Sequence, residues 1–323
     1  MTARRRRAGE FHTSCRYRGQ QEQIRARQFG RAPRARPGDR ERHGRGLEAA
    51  VARYLDETGA RPRAATLAVA GPIDGEEVAL TNRQWRFRHG EFARRFGFSQ
   101  LRVVNDFEAI AWALPRLGPA DTRVLGRPVA PRDGAKIVLG PGTGLGVAAL
   151  VPADGRWQVV ASEGGHASFG PQAADEVEVF ARLRGECHTV SAETVLSGPG
   201  LVRLARVLDP RAACHEPETI VASALAREPS ALAATRLFVR LLGRFAGGMA
   251  LTFKALGGVY ITGGVACGLG PLLDEPPFRA AFEAHPPHER LLGSIPTLLI
   301  TCEEPGLIGC AALADERTTT APV

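Results

Sequence analysis

From Leu47 onward, short apolar runs of strand length alternate with stretches of helical periodicity. A chain written this way folds with helices laid over a sheet, which makes it an α/β protein. Leu47, Val51 and Leu55 mark a first helix that ends near Gly59. Thr66 to Ala70 reads as a strand, and the turn Gly71-Pro72-Ile73-Asp74-Gly75 joins it to Glu77 to Leu80 as an expected hairpin. A helix at Glu91 to Phe96 leads into a strand at Leu101 to Val104 and a helix at Phe107 to Leu114. Pro115 and Gly118-Pro119 then break the pattern, which places a boundary between two domains there. Beyond it come strands at Lys136 to Leu139, Val147 to Val151 and Gln158 to Ala161, then helices around Asp175 to Arg184, Gly200 to Leu208 and Thr219 to Ala226. The longest helix, Ala231 to Lys254, repeats Leu237, Leu241, Phe245, Met249 and Phe253 at every fourth position, a stripe that belongs in a core. Strands at Val259 to Thr262 and Thr297 to Thr301 and a helix at Gly306 to Leu313 close the chain.

The net charge of +8 invites a nucleic-acid reading, but the charge is not where a folded body would need it. Residues 1–46 hold 14 Arg and four acidic residues, a net +10, while the remaining 277 residues hold 28 basic and 30 acidic side chains, a net −2. That Arg-rich segment has no hydrophobic periodicity and too little apolar surface to offset its ordering entropy, so it is read as disordered. Its aromatic residues are too few for a stacking platform, which makes nucleic acid an unlikely partner. The six cysteines form no CxxC pair and no clustered framework, so no metal site is signalled and a reducing, cytoplasmic location is expected. The apolar stretch Leu237 to Gly270 is interrupted by Arg240, Arg244 and Lys254, and the N-terminus lacks the apolar region of a secretory signal; no membrane association is expected.

Several short constellations could carry chemistry. Asn105-Asp106 stands where a strand gives way to a helix, the position at which open α/β sheets bind ligands. Asp106 there is either a helix cap or a base acting on a hydroxyl. The loop Gly140-Pro141-Gly142-Thr143-Gly144-Leu145-Gly146 lies between two strands, which excludes a Rossmann fingerprint, and the chain has no GxxxxGK[ST]. It is either a tight turn or a nest of backbone amides that takes phosphate. Ser162-Glu163-Gly164-Gly165-His166 puts a carboxylate and an imidazole on one glycine loop, an exposed turn or a donor-acceptor pair suited to sugar hydroxyls. Glu193, Gly263-Gly264 after a strand, and Thr81-Asn82 are weaker signals taken singly.

In order, the segments AGPIDGEEVALTNRQWRF, LRVVNDFEAIAWALP, VLGPGTGLGVAALV, SEGGHASFGP, VSAETVLSGPGL, GRFAGGMALTF, GGVYITGGV and FRAAFE resemble the bacterial glucokinases over roughly residues 64–313. This is the non-zinc group of the sugar-kinase/Hsp70/actin (ribonuclease H-like) superfamily, and the chain has no Cys-rich zinc motif. The resemblance implies a small α/β domain of residues 47–116 plus 307–323, a large α/β domain of residues 117–306, and a cleft between them that closes on glucose. It implies ATP-dependent phosphorylation of the glucose 6-hydroxyl, the first step of glycolysis, with Asp106 as base and Asn105 positioning that hydroxyl or its neighbour. Glu163, His166 and Glu193 would hold the other hydroxyls, with Asn82 nearby. Gly140, Gly142, Thr143 and Gly144 would form the second phosphate loop and Gly263-Gly264 the adenosine-side contact, with ATP carrying Mg2+ and the protein forming a homodimer. The family also opens on a strand-turn-strand bearing Asp-x-Gly-Gly-Thr-Asn, the first phosphate loop, and no such motif occurs in these 323 residues. The abrupt start of the resemblance near Leu47 points to a frameshift or mistaken start upstream, a divergent tail being the alternative. Without that element the small domain loses its first strands and exposes a sheet edge. Poor stability and impaired turnover are therefore expected, and a sugar-binding protein of the same fold is the alternative function.

Overall fold

The computed structural model describes residues 47–315 except 72, 74, 80–85 and 212–215, together with Glu10–Phe11 and Phe29–Gly30. The chain divides into two compact units, Met1–Arg116 with Glu303–Thr319, and Leu117–Cys302 with Thr320–Val323.

In the first unit, β1 (Glu10–Phe11) and β2 (Phe29–Gly30) pair antiparallel, with Phe11 opposite Phe29. The rest of residues 1–46 lies outside the described residues. There follow α1 (Leu47–Thr58), β3 (Ala64–Val69), β4 (Glu77–Ala79), β5 (Arg86–Arg88), α2 (His89–Phe96), β6 (Gln100–Asn105) and α3 (Asp106–Ala113). The expected hairpin of β3 with β4 does not form. β3 instead pairs parallel with β6, Val69 standing opposite Asn105, and β4 pairs with β5. The burial pattern gives the reason: β3 is buried at five of its six positions, as a strand covered on both faces must be. On one side Leu67 and Val69 join Leu47, Val51, Leu55, Phe87, Phe92 and Phe98. On the other, Ala68 and Val104 meet Ala109 of α3 and Cys310 and Leu313 of the C-terminal helix Pro305–Asp315. Phe92 is fully buried, 4.8 Å between ring centroids from both Phe87 and Phe96. Such a side chain contributes roughly 1.5–3 kcal/mol through the area it removes from water.

The second unit holds a six-stranded sheet in the order β10-β9-β8-β11-β12-β7. Its strands are β7 (Thr122–Val124), β8 (Lys136–Pro141), β9 (Leu145–Ala153), β10 (Arg156–Ser162), β11 (Gly258–Ile261) and β12 (Thr297–Ile300). β8, β11 and β12 run parallel, and β9, β10 and β7 join antiparallel at the two sides. The helices are α4 (Glu176–Glu186), α5 (Ala192–Val195), α6 (Gly198–Leu208), α7 (Pro217–Leu225), α8 (Pro229–Phe253), α9 (Gly264–Leu269), α10 (Pro276–Glu283) and α11 (Glu289–Gly293). The expected stripe of α8 is core: Leu237, Leu241 and Phe245 are buried, with Met249 and Phe253 packed against them. α10 lies close along α8, since a Cβ at Gly243 would stand 2.1 Å from the Phe278 carbonyl oxygen and one at Gly247 2.4 Å from that of Phe282. Among the described residues no helix is long and apolar enough to cross a membrane.

Candidate active site

The last residue of β6 and the first of α3 are Asn105 and Asp106. Asn105 is the N-cap. Its side-chain oxygen accepts from the backbone N–H of Phe107 at 2.9 Å and of Glu108 at 3.4 Å, and its amide nitrogen donates to the Gly71 carbonyl at 3.1 Å. The capping role weighed for Asp106 therefore falls to its neighbour, and Asp106 occupies the first helical turn with Oδ1 accepting from Phe107 N at 2.9 Å. Two carboxylates share that turn. Burial pushes the Glu108 carboxyl above its usual range, against a hydrogen bond from the Asn105 backbone and the charge of Arg102. Asn82 lies outside the described residues.

In the second unit β8 and β9 pair as far as Pro141 opposite Leu145, which leaves Gly142-Thr143-Gly144 as a three-residue turn. The turn is braced from within and from beside: Gly142 N donates to Gly144 O at 2.8 Å, and Gly198 N donates to Gly142 O at 2.7 Å. The Gly142 amide is thus already engaged, and the amides of Thr143 and Gly144 are the ones a phosphate could use. Gly263 lies against the same turn. Its φ of 94° and the 2.5 Å that a Cβ would leave to the Pro141 carbonyl oxygen both require glycine. Thr262 N donating to Leu139 O at 3.0 Å fixes the approach, so the parallel pairing of β8 with β11 brings Gly140 to Gly146 and Gly263-Gly264 side by side.

Glu163, His166 and Glu193 converge at the same end of the sheet. The His166 ring stands between two carboxylates, Nε2 3.9 Å from Glu163 Oε2 and Nδ1 3.9 Å from Glu193 Oε1. Both separations exceed a hydrogen bond, so the carboxylates keep accepting capacity and the imidazole can both donate and accept. Glu193 also reaches the hairpin, its Oε2 accepting from Leu145 N at 2.8 Å. Local structure explains the convergence. Gly164–His166 form a single 3₁₀ turn after β10, and Gly165 presses so close to β9 that a Cβ would stand 2.1 Å from the Leu145 carbonyl oxygen. Glu193 sits on α5, which Ser191 and Thr194 close with a capping box and which Ala192 N ties to Ala167 O at 3.0 Å.

A glucokinase family profile matches residues 40–317 of the chain. The chain belongs to the glucokinase family. It is 44% identical over 265 residues to the glucokinase of Chelativorans sp. (strain BNC1), covering 80% of this chain and 78% of that protein. It is 43% identical over 277 residues to the bifunctional protein glk of Burkholderia lata, covering 84% of this chain but only 43% of that longer protein. Among solved structures, a glucokinase from an Antarctic psychrotroph superposes with a TM-score of 0.76 at 35% identity, over 85% of this chain and 87% of the other. The fold is therefore the two-domain sugar-kinase fold, and the chain is a hexose-kinase-type phosphotransferase whose family uses ATP.

Three features of this glucokinase-family site carry little or no signal in the local sequence. The Glu193–Leu145 bond joins residues 48 positions apart, which no local pattern announces. The four-residue α5 is too short for periodicity, though its Ser191-x-x-Thr194 spacing is a capping signal. The third is a buried carboxylate, Glu176, 2% exposed beneath the loop that follows His166.

Proposed function

We propose that this glucokinase-family chain phosphorylates glucose at the 6-hydroxyl with ATP as donor. The observation that carries the reading is the cluster of Glu163, His166 and Glu193, bonded through Glu193 to the glycine hairpin that Gly263 abuts. In this reading those three side chains hold the sugar hydroxyls, each of which needs a donor and an acceptor. Asp106 takes the proton of the 6-hydroxyl as the oxygen attacks, help worth about 10²–10⁴-fold, and Asn105 holds the turn that presents it. Asn82 is assigned to the same sugar. The amides of Thr143 and Gly144 receive phosphate oxygens, with Gly140 and Gly142 shaping the turn, and Gly263-Gly264 border the adenosine side.

Mg2+ would arrive with the triphosphate, where it neutralises charge on the transferred group. A cytoplasmic location accords with Cys187, Cys267 and Cys302, which form no disulfide among the described residues. The homodimer, and the boundaries between a small domain (47–116 with 307–323) and a large one (117–306), belong to the same reading.

The rate expected from these 323 residues is low, because Asp-x-Gly-Gly-Thr-Asn is absent from them. Calorimetry with glucose and a coupled assay for glucose-dependent ADP formation test both parts. Glucose binding with slow turnover is the expected result. Failure to bind glucose overturns the function, and turnover at an ordinary kinase rate, about 1–100 per second, overturns the stated consequence of the missing motif.

A further inference from the structure

The loop that follows His166 has no regular secondary structure from Ala167 to Asp175 apart from one bridge, Ser168 to Ser191. Beyond its backbone contacts it is held by an ion pair reached from α8, in which the carboxylate is buried and the guanidinium mostly so. Arg244 donates through one terminal nitrogen to Glu176 Oε2 at 2.7 Å and through the other to the Gly170 carbonyl at 2.7 Å. Its guanidinium lies 4.5 Å over the ring of Phe169, which is set edge-on to Phe245. Glu176 Oε2 also accepts from Gln172 N at 2.9 Å and Ala173 N at 3.4 Å, while Oε1 faces Arg240 Nε at 3.3 Å, off the line of a hydrogen bond. Phe169 N then donates to Val190 O at 2.9 Å, one residue before the cap of the helix that carries Glu193. The pair thus anchors Phe169 to Ala173, the segment that continues directly from the strand-like contact of Ala167 to Phe169 with Val190 to Ala192, through which the His166 turn meets the helix that carries Glu193.

Desolvating a carboxylate and a guanidinium costs several kcal/mol, and well-packed apolar residues would often stabilise a core at least as well. The pair is better explained by what it orients. We propose that Arg244 and Glu176 are positioning residues for sugar binding: they set the loop from which Glu163, His166 and Glu193 take their mutual geometry. The inference rests on the reading of those three side chains as the sugar-holding set. Neither Arg244 nor Glu176 touches the sugar, and neither is catalytic.

The test uses the full chain and titrates glucose and ATP separately by calorimetry, with thermal unfolding recorded for each variant. Arg244→Lys keeps a positive charge but loses the forked contact to Glu176 and Gly170, and Glu176→Gln keeps an acceptor but loses the charge. Each is expected to bind glucose about 10- to 100-fold more weakly, the scale of a misplaced binding group, with ATP affinity changed by no more than about two-fold. Amide hydrogen exchange over residues 163–173 is expected to quicken in both. Arg206→Ala, which removes the exposed Arg206–Glu186 pair of the same unit, serves as the control and is expected to change neither affinity. Unchanged glucose affinity in Arg244→Lys, or equal losses for glucose and ATP, overturns the positioning role. If Arg244→Lys does not fold, Glu176→Gln decides by the same split. A wild-type chain that binds no glucose overturns the sugar-site reading and this inference with it, whereas wild-type binding with unaltered variants overturns the inference alone.

Discussion

The two units hold their candidate site residues on very different supports. In the larger, the hairpin and the Glu163–His166–Glu193 cluster stand at one end of a six-stranded sheet backed by a single continuous core. In the smaller, Asn105 ends and Asp106 follows a strand that, among the described residues, belongs to a parallel pair, and the core is split into two clusters on opposite faces of β3. The difference bears on function because alignment is most of what phosphoryl transfer asks of a protein. The residues proposed to hold the sugar rest on the broader scaffold, and the proposed base rests on the narrower one.

The largest effect that would sharpen this contrast comes from Asp106→Asn. Residual glucose-dependent ADP formation is expected to fall by about 10²–10⁴-fold, while calorimetric glucose affinity stays near that of the parent chain. Retained turnover would remove Asp106 from the base role. Next, Phe92→Ala and Phe278→Ala each delete a fully buried ring, one in each unit, at a cost of about 3–5 kcal/mol. In scanning calorimetry Phe92→Ala is expected to melt the smaller unit separately and leave a second transition behind, whereas Phe278→Ala lowers the main one. A single shared transition in both variants would break the comparison. Smaller again, Asn105→Ala removes the cap of α3 and is expected to lower stability by about 1 kcal/mol, read from chemical denaturation.

The smallest effect is one of pH in the larger unit. Burial lowers the pKa of His285, whose Nε2 lies 3.2 Å from the Arg244 carbonyl oxygen; the bond to that backbone works against the shift and the Arg244 charge adds to it. The unfolded chain therefore binds the proton more readily than the folded one. Stability is held above about pH 6.5 and declines as the pH falls below it. His285→Gln is expected to flatten that part of the stability profile, and an unchanged slope would assign the decline to other groups.

Most elements after Leu47 were legible in the sequence because each carries its own apolar period. The stripe of α8 is the clearest, its buried positions falling where the spacing placed them. Partner choice was not legible: β4 has the composition to pair with β3, but pairing is decided by which faces are covered, and that depends on distant helices. Short elements such as α5 and α11 escaped because four or five residues make little more than one turn and cannot repeat a period. At the candidate site the residue types could be picked out singly, while the contacts joining them could not. Arg244 and Glu176 lie 68 positions apart, and nothing in either neighbourhood names the other.

The carboxylate of Glu193 has one oxygen on the Leu145 amide and the other facing His166. A substitution there is therefore two lesions at once. Glu193→Ala would strip a partner from the imidazole and also orphan a backbone donor at the root of the hairpin, so weakened sugar affinity in that variant would not by itself report on sugar contact. Glu193→Gln, which can still accept from the amide, separates the two losses.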